Sequence, residues 1–251
     1  MSSPSRSDGP PSVAVVEGSP PGSRIGATAD AASNDGHSAC EDAHLGRRVV
    51  LTGGPGAGKT AVLELVLRYF CKHVRVLPEA ASILFGGGFP REDSEASRKA
   101  AQRAIFHVQR QLELLVGPGG APAVTLCDRG TLDGLAYWPG EGGELLAETG
   151  TTREKELARY DAVIHLRTPS AALGYDHSNK LRIEPAAAAA AIDLRIEDAW
   201  RGHPRRFFVE SQADFLAKAA ETLRRLFDEL PPCCREHHVP NVIGPGEAAS
   251  R

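Results

Sequence analysis

The chain carries the run VVLTGGPGAGKTAVLELV at positions 49–66, and no other stretch limits its fold as tightly. Val49–Thr52 reads as a buried strand. Gly53 to Thr60 spells G-x-x-x-x-G-K-T, and an amphipathic stretch follows with Leu63, Val66, Leu67 and Phe70 on one stripe. Gly53, Gly54, Gly56 and Gly58 let the backbone curl so that successive N–H groups point at one anion. The helix starting near Gly58 adds the positive end of its dipole. Pro55, Ala57 and Ala61 complete the cradle. Lys59 is placed to reach terminal phosphates, and the Thr60 hydroxyl to bind Mg²⁺. The loop therefore calls for ATP or a related nucleotide, together with Mg²⁺.

Such a loop lies between a strand and a helix of a parallel α/β sheet, and the rest of the chain has that rhythm. Further strand patterns occur at His73–Leu77, Ala123–Cys127, Ala162–Leu166 and Phe207–Val209, separated by helical patterns near 58–70, 93–116, 153–160, 186–201 and 211–229. The fold class expected is α/β, a three-layer P-loop NTPase fold: five mostly parallel strands with helices on both faces, as in nucleoside and nucleotide kinases. The first 46 residues are rich in Ser, Pro, Gly, Ala and Asp and read as a disordered tail. The domain is expected over 47–231, with a lid at about 171–206, and a flexible tail over 232–251. CCREHH at 233–238 lacks the usual metal-ligand spacing and reads as tail composition.

Net charge is −3 over 251 residues, so no general basic field points to nucleic acid. No apolar run is long enough for a membrane span, and the start lacks a signal-peptide core. The five cysteines are odd in number and scattered, which suggests reduced thiols and a cytoplasmic setting.

In a parallel sheet the ligand sits beyond the carboxyl ends of the strands, so the residues there are the candidates. Glu79 follows the second strand and reads equally as a general base and as a helix N-terminal acid. Asp128 follows the apolar AVTLC run, as a Mg²⁺-binding carboxylate does, or opens a turn. Arg129 beside it fits a carboxylate or phosphate, or a surface ion pair. On the helix at 93–116, Ile105, Val108, Leu112 and Leu115 form the expected core stripe. Gln102, Phe106, Gln109 and Glu113 form a second stripe, read as a solvated flank or as a surface for a base or ring. Arginines between the fourth and fifth strands, Arg182 and Arg195 among them, resemble a lid over phosphates. Arg195 lies on a helix whose apolar stripe is Ile192, Ile196 and Trp200.

TGGPGAGKT, LPEAA, QRAIFHVQRQLE, DRGTLDGLAYWP, YDAVIHLRTPSA and AWRGHPRR, in that order, resemble a known family. It is the small AAA-type P-loop domain shared by bacterial NadR nicotinamide-riboside kinase and the animal TRPL-translocation-defect protein. That domain is itself similar to thymidylate kinase and the deoxynucleoside kinases. The resemblance runs from about Arg47 to Pro231. It implies that Glu79 is the base, that Asp128 and Arg129 are the acid–Arg pair after the third strand, and that Gln109 reads the acceptor. By the same resemblance Arg182 and Arg195 are lid arginines. The chain departs from the kinase pattern in having DRG after the third strand, and in its lid spacing.

A GTPase would need N-K-x-D after the fourth strand, where Asn179–Arg182 reads NKLR, so adenine is favoured. A ring-forming AAA+ machine needs a separate helical domain, for which the segment after the fifth strand leaves no room. Two functions remain open. One is a Mg·ATP-dependent phosphotransferase acting on a nucleoside-like or other small hydroxyl acceptor. The other is an ATP- or GTP-hydrolysing regulator.

Overall fold

The computed structural model describes residues 46–116, 122–169, 186–212 and 214–235. Five strands, β1 (Arg47–Thr52), β2 (Val74–Leu77), β3 (Val124–Asp128), β4 (Ala162–Leu166) and β5 (Arg206–Val209), form one sheet in the order β2-β3-β1-β4-β5. Every pairing is parallel. The loop strand β1 is central, flanked by β3 and β4. From the sequence, both Glu79 and Asp128 are expected at the carboxyl ends of strands flanking β1; β3 does flank it, but β2 is an edge strand, so Glu79 follows a strand one place removed.

Alternate residues of the strands feed two separate cores, as a period of two requires. Val49, Leu51, Leu126, Ile164 and Leu166 pack with α1 (Lys59–Tyr69) and α7 (Phe215–Asp228). Val50, Cys127 and Val163 face the other way and pack with Leu132, Ile192, Ile196 and Trp200. That second layer holds α3 (Glu95–Leu114), a 3-10 helix (Thr131–Ala136), α4 (Gly142–Glu148), α5 (Arg153–Leu157) and α6 (Ala186–Ala199). A short α2 (Ala80–Gly86) precedes α3, and α8 (Pro232–Arg235) follows α7. α8 extends the fold beyond the expected boundary at 231, with Cys234 only 1% exposed.

Two helices sit differently from their apolar pattern. Leu67 shares the apolar stripe of α1 with Leu63 and Val66 but is 67% exposed, while Val62, Leu63 and Val66 are buried. On α3 the polar stripe is the buried one: Gln102, Phe106, Gln109 and Glu113 are inside, and Leu115 is 76% exposed. The cause is a buried ionic network. Glu113 accepts hydrogen bonds from Arg159, from the Tyr160 hydroxyl (2.8 Å) and from Gln109 Nε2 (2.9 Å), with Arg48 Nη1 at 3.6 Å. Glu156 binds Arg110 (2.9 Å) and the Thr131 hydroxyl (2.7 Å) alongside it. Paired charges hold α3 against the sheet where leucines would otherwise do so.

Of the expected lid, residues 171–185 lie outside the described residues. The remainder, α6, belongs to the core through Ile192, Ile196 and Trp200. Replacing Glu113 by Ala strips Arg48 of its buried partner and leaves Arg159 with Glu156 alone, at 3.2 Å. Urea unfolding of Glu113→Ala should show a loss of about 3 kcal/mol, the lower end for breaking a buried pair.

Candidate functional site

The loop after β1 has the backbone its glycines predict. Gly53, Gly56 and Gly58 have φ of 136°, 77° and 94°. A Cβ on Gly53 would stand 2.1 Å from the Leu166 carbonyl oxygen, and one on Gly54 would stand 2.4 Å from the Thr168 hydroxyl, so neither position accepts a side chain. Gly58 caps α1, and Lys59 and Thr60 open the helix. Lys59 donates to the carbonyls of Gly53 (2.8 Å) and Gly54 (3.2 Å) and is 9% exposed. Burial, then the nearby Arg129, lowers its pKa to about 8 against the pull of Asp128, Glu79 and Asp133. Lys218 on α7 supports the loop from below, donating to the Ala57 carbonyl at 2.9 Å.

Glu79, Asp128 and Arg129 meet in space, although their strands are not equally close to β1. Arg129 has φ of 70°, the only non-glycine among the described residues with positive φ. Its N–H is held by the Leu51 carbonyl at 3.1 Å. This left-handed backbone directs the guanidinium inward. Its Nε donates to Glu79 Oε1 at 2.6 Å, and its guanidinium carbon Cζ lies 5.5 Å from the Tyr137 ring centroid. Burial works against the charge on Arg129, but Tyr137, Glu79, Asp133 and Asp128 together hold its pKa above the usual arginine value. Glu79 also accepts from the Ser82 hydroxyl. Burial pushes its pKa up, and Arg129, Ser82 and Lys59 more than reverse this, leaving a lowered value.

Asp128 is the exception among the acids. Burial, with help from Glu79 and Asp133, raises its pKa to about 6 despite Lys59 and Arg129. Its Oδ1 is buried without a hydrogen-bond partner. A buried carboxylate oxygen with no donor, close enough to Lys59 for each to shift the other's pKa, has the chemistry of a cation ligand.

Two acids that sequence reasoning passed over hold the site together. Asp133, on the 3-10 helix, accepts from the Thr52 hydroxyl, the Gly130 N–H (2.8 Å), Trp200 Nε1 (3.3 Å) and Arg129 Nη1 (3.5 Å). Asp193, on α6, accepts from the Gly54 N–H at 2.7 Å and contacts His165 Nε2 at 3.0 Å. The signal for both was an acid on an otherwise buried helical face: Asp133 next to Leu132, Asp193 next to Ile192.

A cavity of about 980 Å³ opens beside the loop at Pro55. Glu79 and Arg129 stand at one side of it. Phe85, Phe106, Tyr137 and Trp138 supply rings, and Gln102 and Gln109 supply amides. Gln109 is tied to Glu113, whereas Gln102 Oε1 is buried with no partner. Arg195 is exposed and lines the cavity too. Arg182, with the rest of the NKLR run, lies outside the described residues.

No described helix is long and apolar enough to cross a membrane, and no disulfide joins Cys71, Cys127 or Cys234. None of the curated proteins matches the chain. Among solved structures, that of NadR protein in complex with NR superimposes with a TM-score of 0.58 at 15% identity. The match covers 74% of this chain and 52% of NadR, so the chain spans about half of that protein's length. The likeness is one of fold. A family model described as an AAA domain matches residues 48–218, most of the described sheet and its helices, and the chain belongs to that AAA-domain family of P-loop, nucleotide-binding proteins.

Proposed function

We propose that the protein is a Mg·ATP-dependent phosphotransferase whose acceptor is a nucleoside-like molecule or another small molecule with a ring and a hydroxyl. One observation carries this reading: the ring-lined cavity beside the phosphate loop, with a carboxylate–guanidinium pair, Glu79 and Arg129, at its side. A hydrolase acting on water alone has no use for about 980 Å³ of ring-lined space.

The residues divide the work as follows. The loop's N–H groups from Gly56 to Ala61 cradle the phosphates, the Gly54 N–H being held by Asp193, and Lys59 exchanges its carbonyl partners for phosphate oxygens. A phosphate beside Lys59 restores its charge against burial. Thr60 and Asp128 hold Mg²⁺, which supplies charge neutralisation on the phosphates when bound. Arg129 and Arg195 add positive charge near the transferred group. Glu79 takes the proton of the attacking hydroxyl as its oxygen bonds to the γ-phosphorus and ADP leaves, with the acceptor's ring stacked among Phe85, Phe106 and Tyr137. Gln102 and Gln109 contact the polar edge of the acceptor, and the unpartnered Gln102 Oε1 asks it for a donor. The NadR structure contains NR, and a ligand of that general kind is the first to try in the cavity.

The test is ADP formation by purified protein with Mg·ATP, measured with and without each of a panel of nucleosides, nucleotides and nicotinamide riboside. Acceptor-dependent turnover supports the proposal. Turnover that ignores every acceptor assigns the protein to the NTP-hydrolysing regulators.

Lys59→Ala should abolish turnover with the fold intact, because the lysine's partners lie within the loop itself. Glu79→Gln should leave ATP affinity unchanged and slow transfer by roughly 10²–10⁴-fold, the usual range for a lost general base. Unchanged turnover in Glu79→Gln would remove that residue from the chemistry.

Asp128 gives a pH signature. Its folded pKa of about 6 lies above the ordinary aspartate value of 3.8. Between these values the unfolded chain gives up the proton first, so stability falls as pH rises through the window, and the cost persists above it. In the absence of metal, Asp128→Asn should therefore melt higher than the wild type at pH 7 and near the same temperature at pH 4. Mg²⁺ dependence should strengthen as pH passes through about 6 in the wild type and be lost in Asp128→Asn. Thermal melts with and without Mg·ADP read both effects.

A further inference from the structure

At the opposite end of the sheet from the phosphate loop, three side chains from distant parts of the chain converge. Cys71 follows α1, His73 immediately precedes β2, and Cys234 lies on α8. Their ligand atoms all lie within 4.8 Å of one another. His73 Nδ1 is 3.3 Å from Cys234 Sγ and 3.8 Å from Cys71 Sγ. From these contacts we infer a zinc site, formed by Cys71, His73 and Cys234, that fastens α8 to the edge strand β2.

The distances fit the metal. With Zn–S of about 2.3 Å and Zn–N of about 2.0 Å, tetrahedral ligands stand roughly 3.5 Å apart for nitrogen to sulfur and about 3.8 Å for sulfur to sulfur. The observed nitrogen–sulfur separations of 3.3 and 3.8 Å lie on either side of the first value. The two sulfurs need to close by no more than about 1 Å, which is a side-chain adjustment. Local geometry already sets two of the three ligands. The Val74 N–H closes on the Cys71 carbonyl at 3.0 Å, so the chain turns through Cys71–Val74 and brings the thiol and the imidazole to the same side.

The donor set selects the ion. Two thiolates and an imidazole are soft and borderline ligands that suit Zn²⁺ and reject Mg²⁺, which keeps to oxygen. Binding displaces a proton from each thiol, and the two resulting charges balance the 2+ of the metal, leaving a neutral cluster that is cheap to bury. Burial is already in place: Cys234 is 1% exposed and belongs to the same core as α1 and α7. The cavity and the acids of the phosphate site lie at the other end of β2, so the thiol–imidazole group is not part of that chemistry. The fourth position is left to water.

The sequence run CCREHH therefore contributes to a metal site by a route its spacing does not show. Cys234 meets His73 across 161 positions of the chain.

The test uses the full chain, reduced and stripped with a chelator, then titrated with Zn²⁺ in competition with a chromophoric indicator. One Zn²⁺ per chain is expected. Co²⁺ in its place should give the thiolate charge-transfer absorption and strong visible bands of a tetrahedral sulfur site. Cys71→Ser and His73→Gln should each weaken Zn²⁺ binding by more than about 100-fold, since loss of an outer-sphere partner alone costs up to that much. Cys127→Ala, in the middle of the sheet, should bind as the wild type does. ATP binding measured on the same preparations reports on the phosphate site separately and should not change. In the wild type, zinc should also slow alkylation of Cys71 in step with occupancy, a reading that does not depend on any variant folding. The inference is overturned if the chain takes up no stoichiometric Zn²⁺, if both Cys71→Ser and His73→Gln retain it, or if zinc leaves Cys71 alkylation unchanged.

Discussion

The carboxylate of Asp133 ties together the elements that make the site. It receives four donors on two oxygens: the Thr52 hydroxyl at the end of β1, the Gly130 N–H after β3, the Trp200 indole beyond α6 and the Arg129 guanidinium. Asp133 is 3% exposed, so its charge has been taken out of water and each donor is needed to compensate. The consequence is geometric. Arg129 can stay in a left-handed backbone conformation only if its surroundings over-determine it. Leu51 holds its N–H, and Asp133 and Glu79 hold its side chain. Gly130 follows at once and must remain glycine, because a Cβ there would stand 2.7 Å from the Trp200 ring.

The charges at the loop are arranged so that one acid carries the strain. Lys59 and Arg129 face Glu79, Asp128 and Asp133, an excess of one negative charge. Glu79 and Asp133 each have a guanidinium within reach, whereas Asp128 Oδ1 has no donor and Asp128 holds its proton up to about pH 6. Protonation is what a buried acid does when nothing else neutralises it. On the proposed reading, the divalent ion that comes with the nucleotide takes the proton's place, and the site trades one neutralising partner for a stronger one. Lys59 is the mirror image: a buried cation lowered to about 8, lying against two carbonyls that a phosphate would replace.

The sheet, the loop and the strand-end candidates were legible in the sequence because each signal is local. A strand, four glycines, a lysine and a helix lie within eighteen residues. What could not be read there depends on partners far along the chain. Asp133 meets Thr52 across 81 positions, and Asp193 meets Gly54 across 139. The register of α3 was misread for a related reason. Apolar spacing assigns Leu115 to the core, but Glu113 is drawn inside by Arg159 and Tyr160, which lie beyond the whole of β3 and α4. A helix whose buried face is polar looks inverted to any argument from hydrophobicity, and that face also lines the cavity through Gln102 and Gln109. The edge position of β2 was hidden too, since strand order is not written in strand spacing.

α1 links the two ends of the molecule. Its first turn presents Lys59 and Thr60 and points its positive dipole end at the phosphate loop, and its last turn leads directly to Cys71. Eleven residues at about 1.5 Å rise make a rod of roughly 16 Å. One face of that rod, Val62, Leu63 and Val66, is fixed in the core with α7, whose Lys218 reaches back to the Ala57 carbonyl of the loop. The loop is thus held from below by α7 and from behind by α1. α7 leads on to α8 and Cys234, and α1 leads on to Cys71, so the two helices that brace the phosphate loop both end at the thiol–imidazole cluster. A metal there would join the far ends of the two braces. It would act on the loop through those helices, since Lys59 opens α1 and Cys71 follows its C-cap, Phe70, at the other end.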